Sequence, residues 1–120
     1  MVKLVVEEPE TGALREFLGG DPDQVASAIV EVEVLRAVRR VAPELTKKAD
    51  EVVGQVSVIE AGEPIRARAA LLEPATVRSL DALHLATALE IGNALDAVIT
   101  YDARMSATAR SLGLAVSAPA

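Results

Sequence analysis

The segment from Asp81 to Val116 limits the fold more than any other part of the chain, because it alternates between two hydrophobic periods. Asp81 to Ile91 is an apolar, alanine-rich stretch of helical length that stops at Gly92-Asn93. Ala94-Leu95-Asp96-Ala97-Val98-Ile99-Thr100 then carries a hydrophobic run of the fully buried, parallel-strand type. Ala103 to Leu112 returns to a helix, Gly113 closes it, and Leu114-Ala115-Val116 reads as a last short strand. Strands that alternate with helices in this way imply an α/β fold with a parallel sheet covered on both faces. Such sheets bind their ligands outside the carboxyl ends of the strands.

The first two thirds read the same way. Residues 2–8 form a short apolar segment that Pro9 interrupts. Ala13, Leu14, Phe17 and Leu18 recur at helical spacing over residues 10–18, before a stop at Gly19-Gly20 and a turn at Asp21-Pro22-Asp23. Val25-Ala26-Ser27 fits a short buried strand, with the Ser27 hydroxyl able to cap the next helix. Residues 28–41 are a strong helix striped by Val30, Val34, Val38 and Val41 and widened by Leu35 and Ala37. Pro43 opens another helix that runs to Gly54, with Lys47, Lys48, Asp50 and Glu51 on a solvated face. Val56-Ser57-Val58-Ile59 alternates and is β-branched, so it reads as a strand. After Gly62-Glu63-Pro64, a helix is expected over 65–73, ended by Pro74.

Composition excludes several function classes. The chain has 120 residues, enough for one domain spanning 1–120, and its core must be aliphatic, since it has one Phe, one Tyr and no Trp. A net charge of −6 leaves no global basic field for a nucleic acid, so an RNA contact needs a local patch or a bound cation. No Cys is present, which removes disulfides, thiolate zinc sites and thiol nucleophiles. No apolar run approaches the roughly eighteen residues of a membrane span, and the N-terminal run is too short for a signal peptide; a cytoplasmic location is expected. Gly19-Gly20 lacks the spacing of a phosphate-binding loop.

Geometry then sorts the acidic residues. Asp81 falls in the first turn of its helix, where unpaired N–H groups favour a carboxylate, so it is either a simple first-turn residue or part of a site. Asp102 follows its strand at the carboxyl edge, whereas Asp96 starts the same strand at the opposite edge; Asp102 is the candidate, and its plainer role is to cap the next helix. Glu31 and Glu33 both interrupt an apolar helix, and periodicity does not choose between them. Glu33 has Arg36 and Arg40 within reach along the helix and could be an ion-paired rim residue. Asp and Glu clustered without His or Cys are hard oxygen ligands that suit Mg²⁺ or Mn²⁺. A cation so held would relieve their mutual repulsion and serve hydrolysis of a phosphodiester. His84, the only histidine, has no second His and no Cys or Ser motif to work with and fits a structural or rim role.

Arg78-Ser79-Leu80-Asp81-Ala82-Leu83-His84-Leu85-Ala86-Thr87-Ala88, then Val98-Ile99-Thr100-Tyr101-Asp102-Ala103-Arg104-Met105, then Gly113-Leu114-Ala115-Val116, resembles the C-terminal half of a PIN-domain ribonuclease of the VapC toxin type. Ser27-Ala28-Ile29-Val30-Glu31-Val32-Glu33-Val34-Leu35-Arg36-Ala37-Val38-Arg39-Arg40 is similar to the family's helix that bears an acidic ligand, and this match selects Glu33 over Glu31. Residues 2–11 resemble the segment just after the family's first strand. The fold implied is a three-layer α/β/α domain, but the family opens with a central strand ending in Asp, and this chain begins just after that point. Either the natural product starts upstream of Met1, which is the reading we favour, or the short form holds its metal weakly.

By this resemblance Glu33, Asp81 and Asp102 are the catalytic metal ligands of a Mg²⁺- or Mn²⁺-dependent endoribonuclease, restrained by a cognate antitoxin and forming a homodimer. Arg36, Arg39, Arg40, Arg78 and Arg104 are candidates for RNA-phosphate contacts, or else ordinary solvated arginines. Two rivals remain. One is a catalytically dead PIN-fold module that binds antitoxin or RNA. The other is a small doubly wound regulatory domain phosphorylated in its acidic cluster, weakened because no Lys stands near the carboxyl edges.

Overall fold

The computed structural model describes residues 6–19 and 23–120, so most of the apolar segment at 2–8 and most of the turn at Asp21-Pro22-Asp23 lie outside the described residues. The chain divides into two compact units. The first takes the described residues up to Ile59 together with Pro119–Ala120, and the second takes Glu60–Ala118.

In the first unit, helix α1 (Thr11–Leu18) starts without a side-chain cap. A local loop replaces it: Thr11 Oγ1 accepts from the Glu8 N–H at 2.9 Å, and Thr11 is fully buried. Strand β1 (Val25–Ser27) leads through a turn to α2 (Val30–Val41), a 3₁₀ turn (Pro43–Leu45), α3 (Thr46–Gly54) and β2 (Ser57–Ile59). The two strands pair in parallel, with Val25 beside Ser57 and Ser27 beside Ile59. Val30, Val34 and Val38 recur every fourth residue and so face one way, where they pack with Ala49 and Val53 of α3.

Three local expectations need correction here. Val41 was expected in the core stripe but is 62% exposed. Helix α2 ends there, and Ala42, at φ −149° and ψ 72°, turns the chain inward and takes the buried position instead. The next helix begins at Thr46 rather than Pro43; the tighter 3₁₀ turn comes first, and Thr46 Oγ1 donates to the Pro43 carbonyl at 2.7 Å. Ser27 does not cap α2, since the helix begins beyond the Ala28-Ile29 turn, and the buried Ser27 hydroxyl has no hydrogen-bond partner among the described residues.

The second unit contains α4 (Glu63–Ala70), α5 (Ser79–Ile91), a 3₁₀ turn (Gly92–Ala94), β3 (Val98–Ile99), α6 (Ala103–Ser111) and β4 (Val116–Ser117). Helix α4 packs on α5, where Ala82, Leu85, Ala86 and Ala88 are buried, as is Ile65 of α4. The buried alanines Ala82, Ala86 and Ala88 give α5 a slim profile that allows close approach of a neighbour. Strands β3 and β4 pair in parallel, Val98 with Val116 and Ile99 with Ser117. Gly113, at φ 82°, ends α6 in a conformation that favours glycine.

Here too the boundaries move. Helix α4 stops at Ala70, not at 73: Leu71 and Leu72 already donate three residues back, and Pro74 disfavours a helical Glu73. The strand expected over 94–100 shrinks to Val98–Ile99, because Gly92 at φ 66° leads into the 3₁₀ turn that uses up Gly92–Ala94. It is not fully buried either, as Ile99 is 39% exposed and β4 is its only neighbour among the described residues. The class itself is as expected. Helices alternate with strands, and both strand pairs are parallel, which is an α/β fold. No helix among the described residues is long and apolar enough to cross a membrane.

Candidate functional site

The start of α5 supplies the first carboxylate. Arg78 is the N-cap residue, extended at φ −63° and ψ 146°, and its carbonyl accepts the Ala82 N–H at 2.8 Å. A guanidinium has only donors and cannot cap the free N–H groups of a helix start. It turns instead to Asp81, one turn along: Nε and Nη2 each lie 3.0 Å from Asp81 Oδ2.

The second carboxylate stands at the start of α6. Just beyond β3, the Asp102 N–H donates to Thr100 Oγ1 at 3.1 Å. Asp102 Oδ1 then accepts from the backbone N–H groups of Arg104 at 2.8 Å and Met105 at 3.1 Å, which makes Asp102 the cap of α6. Its other oxygen, Oδ2, is left over for Arg78 Nη2, 3.2 Å away. One guanidinium thus joins two carboxylates that are well separated in sequence. The exposures of the three side chains differ: Asp81 is 23% exposed, Asp102 42% and Arg78 66%.

Charge follows geometry. The N–H groups of Met105 and Arg104, aided by the Arg78 and Arg104 guanidinium charges, hold the Asp102 carboxyl below the usual carboxylate value, despite an opposing desolvation effect. The Arg78 guanidinium is raised above its ordinary value, chiefly by its hydrogen bond to Asp81 and by that residue's charge, then by the charge of Asp102. Beside the pair lies a cleft of about 420 Å³ lined by Thr76, Arg78, Asp81, Arg104, Met105 and Thr108. It therefore offers both charge signs and two hydroxyls.

Of the three acidic residues singled out from sequence, the structure joins Asp81 and Asp102. Glu33 lies in the first turn of α2, half-buried, with Glu31 exposed beside it; it belongs to the first unit. Arg36, Arg39 and Arg40 are exposed on the same helix. Asp96 precedes β3, at the end opposite Asp102. His84 is half-buried, one turn beyond Asp81. No group of three His, Cys, Asp or Glu side chains arranged to hold a metal occurs among the described residues, and in the second unit two carboxylates converge.

Two features escaped sequence reasoning. Arg78 was a candidate for RNA contact, but its guanidinium sits on the carboxylates; the only local hint was its position three residues before Asp81. Thr100, which orients the Asp102 backbone, was marked only by its place two residues before Asp102.

The pair fits a hard cation. Asp81 Oδ2 and Asp102 Oδ2 both aim at a single positive group, and oxygen-only donors are the set that Mg²⁺ and Mn²⁺ take. Here the positive group facing both oxygens is the Arg78 guanidinium.

The chain matches the PIN domain family model over residues 1–111. It is 36% identical over 124 aligned residues to "Ribonuclease VapC47" of Mycobacterium tuberculosis (strain CDC 1551 / Oshkosh), with 99% of this chain and 91% of the relative covered. It is 38% identical to "Ribonuclease VapC46" of Mycobacterium tuberculosis (strain ATCC 25618 / H37Rv), over 99% of this chain and 92% of that one. Identity reaches 40% with "Ribonuclease VapC35" from both strains, again over 99% of this chain and 91% of the relative. No solved structure matches it.

Proposed function

The chain belongs to the PIN-domain family, and on that premise we propose that it is a metal-dependent endoribonuclease, the toxin of a toxin–antitoxin pair, which hydrolyses RNA phosphodiesters. The observation that carries this reading is the convergence of Asp81 Oδ2 and Asp102 Oδ2 on one positive group, each carboxylate presented by the start of a different helix. The relatives named as ribonucleases support it. Asp81 and Asp102 would hold Mg²⁺ or Mn²⁺, and Glu33 remains the further candidate ligand that the family resemblance names. When bound, such an ion supplies an activated water and neutralises charge that develops on the phosphodiester.

The chain's own residues do the rest. Capping keeps Asp102 ionised and fixes its orientation, so Oδ2, the oxygen outside the cap, is held in place to serve as a ligand once Arg78 releases it. Arg104, and Arg78 when its guanidinium is free of the carboxylates, put positive charge along the cleft where an RNA backbone would run. Arg36 and Arg40, on α2 of the first unit, are further candidates for RNA-phosphate contact. An acidic protein of net charge −6 needs such local positive charge to approach RNA at all. In this reading the protein is a cytoplasmic homodimer, and its cognate antitoxin covers the acidic groove.

The test is cleavage of a fluorescently labelled RNA by the purified protein with Mg²⁺ or Mn²⁺, beside an EDTA control and an Asp81→Asn variant. Cutting that both EDTA and the substitution abolish supports a metal nuclease. Cutting that survives either one overturns it. A folded protein that binds RNA or antitoxin without cutting would favour the binding-module reading instead.

A further inference from the structure

The two carboxylates of the second unit are already neutralised by a side chain. Arg78 Nη2 lies 3.0 Å from Asp81 Oδ2 and 3.2 Å from Asp102 Oδ2, and Nε adds a second bond to Asp81 Oδ2 at 3.0 Å. On Asp102 this is the oxygen that a cation would need, because Oδ1 is committed to the N–H groups of α6; on Asp81 it is the oxygen that faces Asp102 across the guanidinium. A guanidinium and a divalent ion seeking the same lone pairs exclude one another, by crowding and by repulsion of like charge.

We propose that Arg78 is a built-in occupant of the cation position: it bridges Asp81 and Asp102 in the metal-free protein, leaves when the ion binds, and then holds an RNA phosphate in the adjoining cleft. This rests on the metal-nuclease reading above. Three observations support the exchange. The Arg78 side chain is 66% exposed, so its movement breaks solvent-exposed ion pairs rather than a packed core, and such pairs contribute little. Its backbone is fixed at the N-cap of α5, which leaves the long side chain as the moving part. The cleft it would enter is already lined by Arg78 itself, with Arg104 alongside, and an arginine keeps its charge in both positions.

Occupancy sets a measurable cost for the ion. If the bridged form holds about nine molecules in ten, the apparent metal affinity is about tenfold weaker than the intrinsic one, and removing the guanidinium restores it. Displacement to a phosphate would make the same residue favour RNA binding. The two effects have opposite signs, and a plain structural clamp between α5 and α6 has no reason to show them.

The experiment uses the full chain, with Mn²⁺ affinity measured by titration calorimetry and the RNA KM measured at saturating metal. Wild type, Arg78→Gln, Arg104→Gln and Asp81→Asn are compared. Arg78→Gln is expected to bind Mn²⁺ on the order of tenfold tighter while its KM for RNA rises; Arg104→Gln, which removes a nearby charge that is not on the pair, should change Mn²⁺ affinity much less. In wild type, the Arg78 Nε–H resonance should shift on Mg²⁺ addition and return with EDTA. Equal or weaker Mn²⁺ binding in Arg78→Gln, an equal gain in Arg104→Gln, an unchanged KM, or an Arg78 resonance unmoved at saturating Mg²⁺ would each overturn the exchange. Mn²⁺ binding that vanishes in Asp81→Asn but ignores Arg78→Gln sinks this proposal alone. If wild type binds no Mn²⁺, or Asp81→Asn binds it equally well, the metal-nuclease reading fails and the exchange with it.

Discussion

Asp102 is the residue at which folding and function can be separated by a single atom. Its Oδ1 accepts the Arg104 and Met105 N–H groups, at 2.8 and 3.1 Å, and caps α6; its Oδ2 faces Arg78 and, in the proposed mechanism, the metal. Asparagine keeps a carbonyl oxygen for the cap and replaces Oδ2 by an NH₂ group, which neither accepts from Arg78 nor ligates a cation. Alanine removes both functions. Asn and Asp are about equally good N-caps, so Asp102→Asn keeps the cap and loses only the carboxylate's charge and its exposed pair with Arg78, and it should melt only slightly below wild type at neutral pH. Asp102→Ala loses the cap, which for a chain of this size lowers Tm by about 4 °C. Cleavage should fall at least about 100-fold in both variants, since losing a ligand costs no less than losing a residue that merely orients one. Differential scanning calorimetry and initial cleavage rates on one labelled RNA make the comparison. If Asp102→Asn cuts within tenfold of wild type, Oδ2 is not a ligand; if Asp102→Ala melts with Asp102→Asn, the two short N–H contacts do not stabilise α6.

Three further outcomes are expected. Leu85 is fully buried on α5, so Leu85→Ala should lose about 2–5 kcal/mol in denaturant unfolding, with cleavage per folded molecule retained. Because the folded pKa of Asp102 is depressed, its charge contributes stability that is present above the unfolded carboxylate value near 3.8 and is lost as pH falls through the folded one. Acid unfolding of Asp102→Asn should therefore fall less steeply than wild type below about pH 4. His84→Gln should leave the cleavage rate within about threefold, as suits a half-buried imidazole that the proposed chemistry does not use.

Direction was legible in the sequence where periodicity carries it. The fourfold spacing of Val30, Val34 and Val38 forces them onto one face, and short β-branched runs between helices led to parallel pairing. Termination was less legible. Val41 continues the stripe in sequence, yet the core position passes to Ala42; Pro43 marks where the helix ends but not which neighbouring residue turns inward. The strand at Ala94–Thr100 lost its first half for a similar reason, as the left-handed Gly92 feeds a 3₁₀ turn rather than extended backbone. At the site, Asp81 and Asp102 could be found from their places at helix starts. The bridge through Arg78 could not, because a pairing between residues 78 and 102 depends on how α5 and α6 come together.

The sequence offers Asp102 two roles, helix cap or ligand, and the two are compatible. A carboxylate has two oxygens, and the structure uses them separately. The cap makes the second oxygen useful: it holds the group ionised against acid and fixes its direction, while Thr100 fixes the backbone that carries it. Asp81 follows a looser version of the same logic, as a first-turn carboxylate favoured by the exposed N–H groups of α5 that turns Oδ2 to the Arg78 guanidinium. Helix starts are thus efficient places to mount acidic ligands, because the backbone supplies both the orientation and the positive potential that an isolated pair of carboxylates lacks. The cost falls on specificity of occupancy. Any positive group within reach is drawn there, and Arg78, the N-cap residue three positions before Asp81, is the nearest one among the described residues.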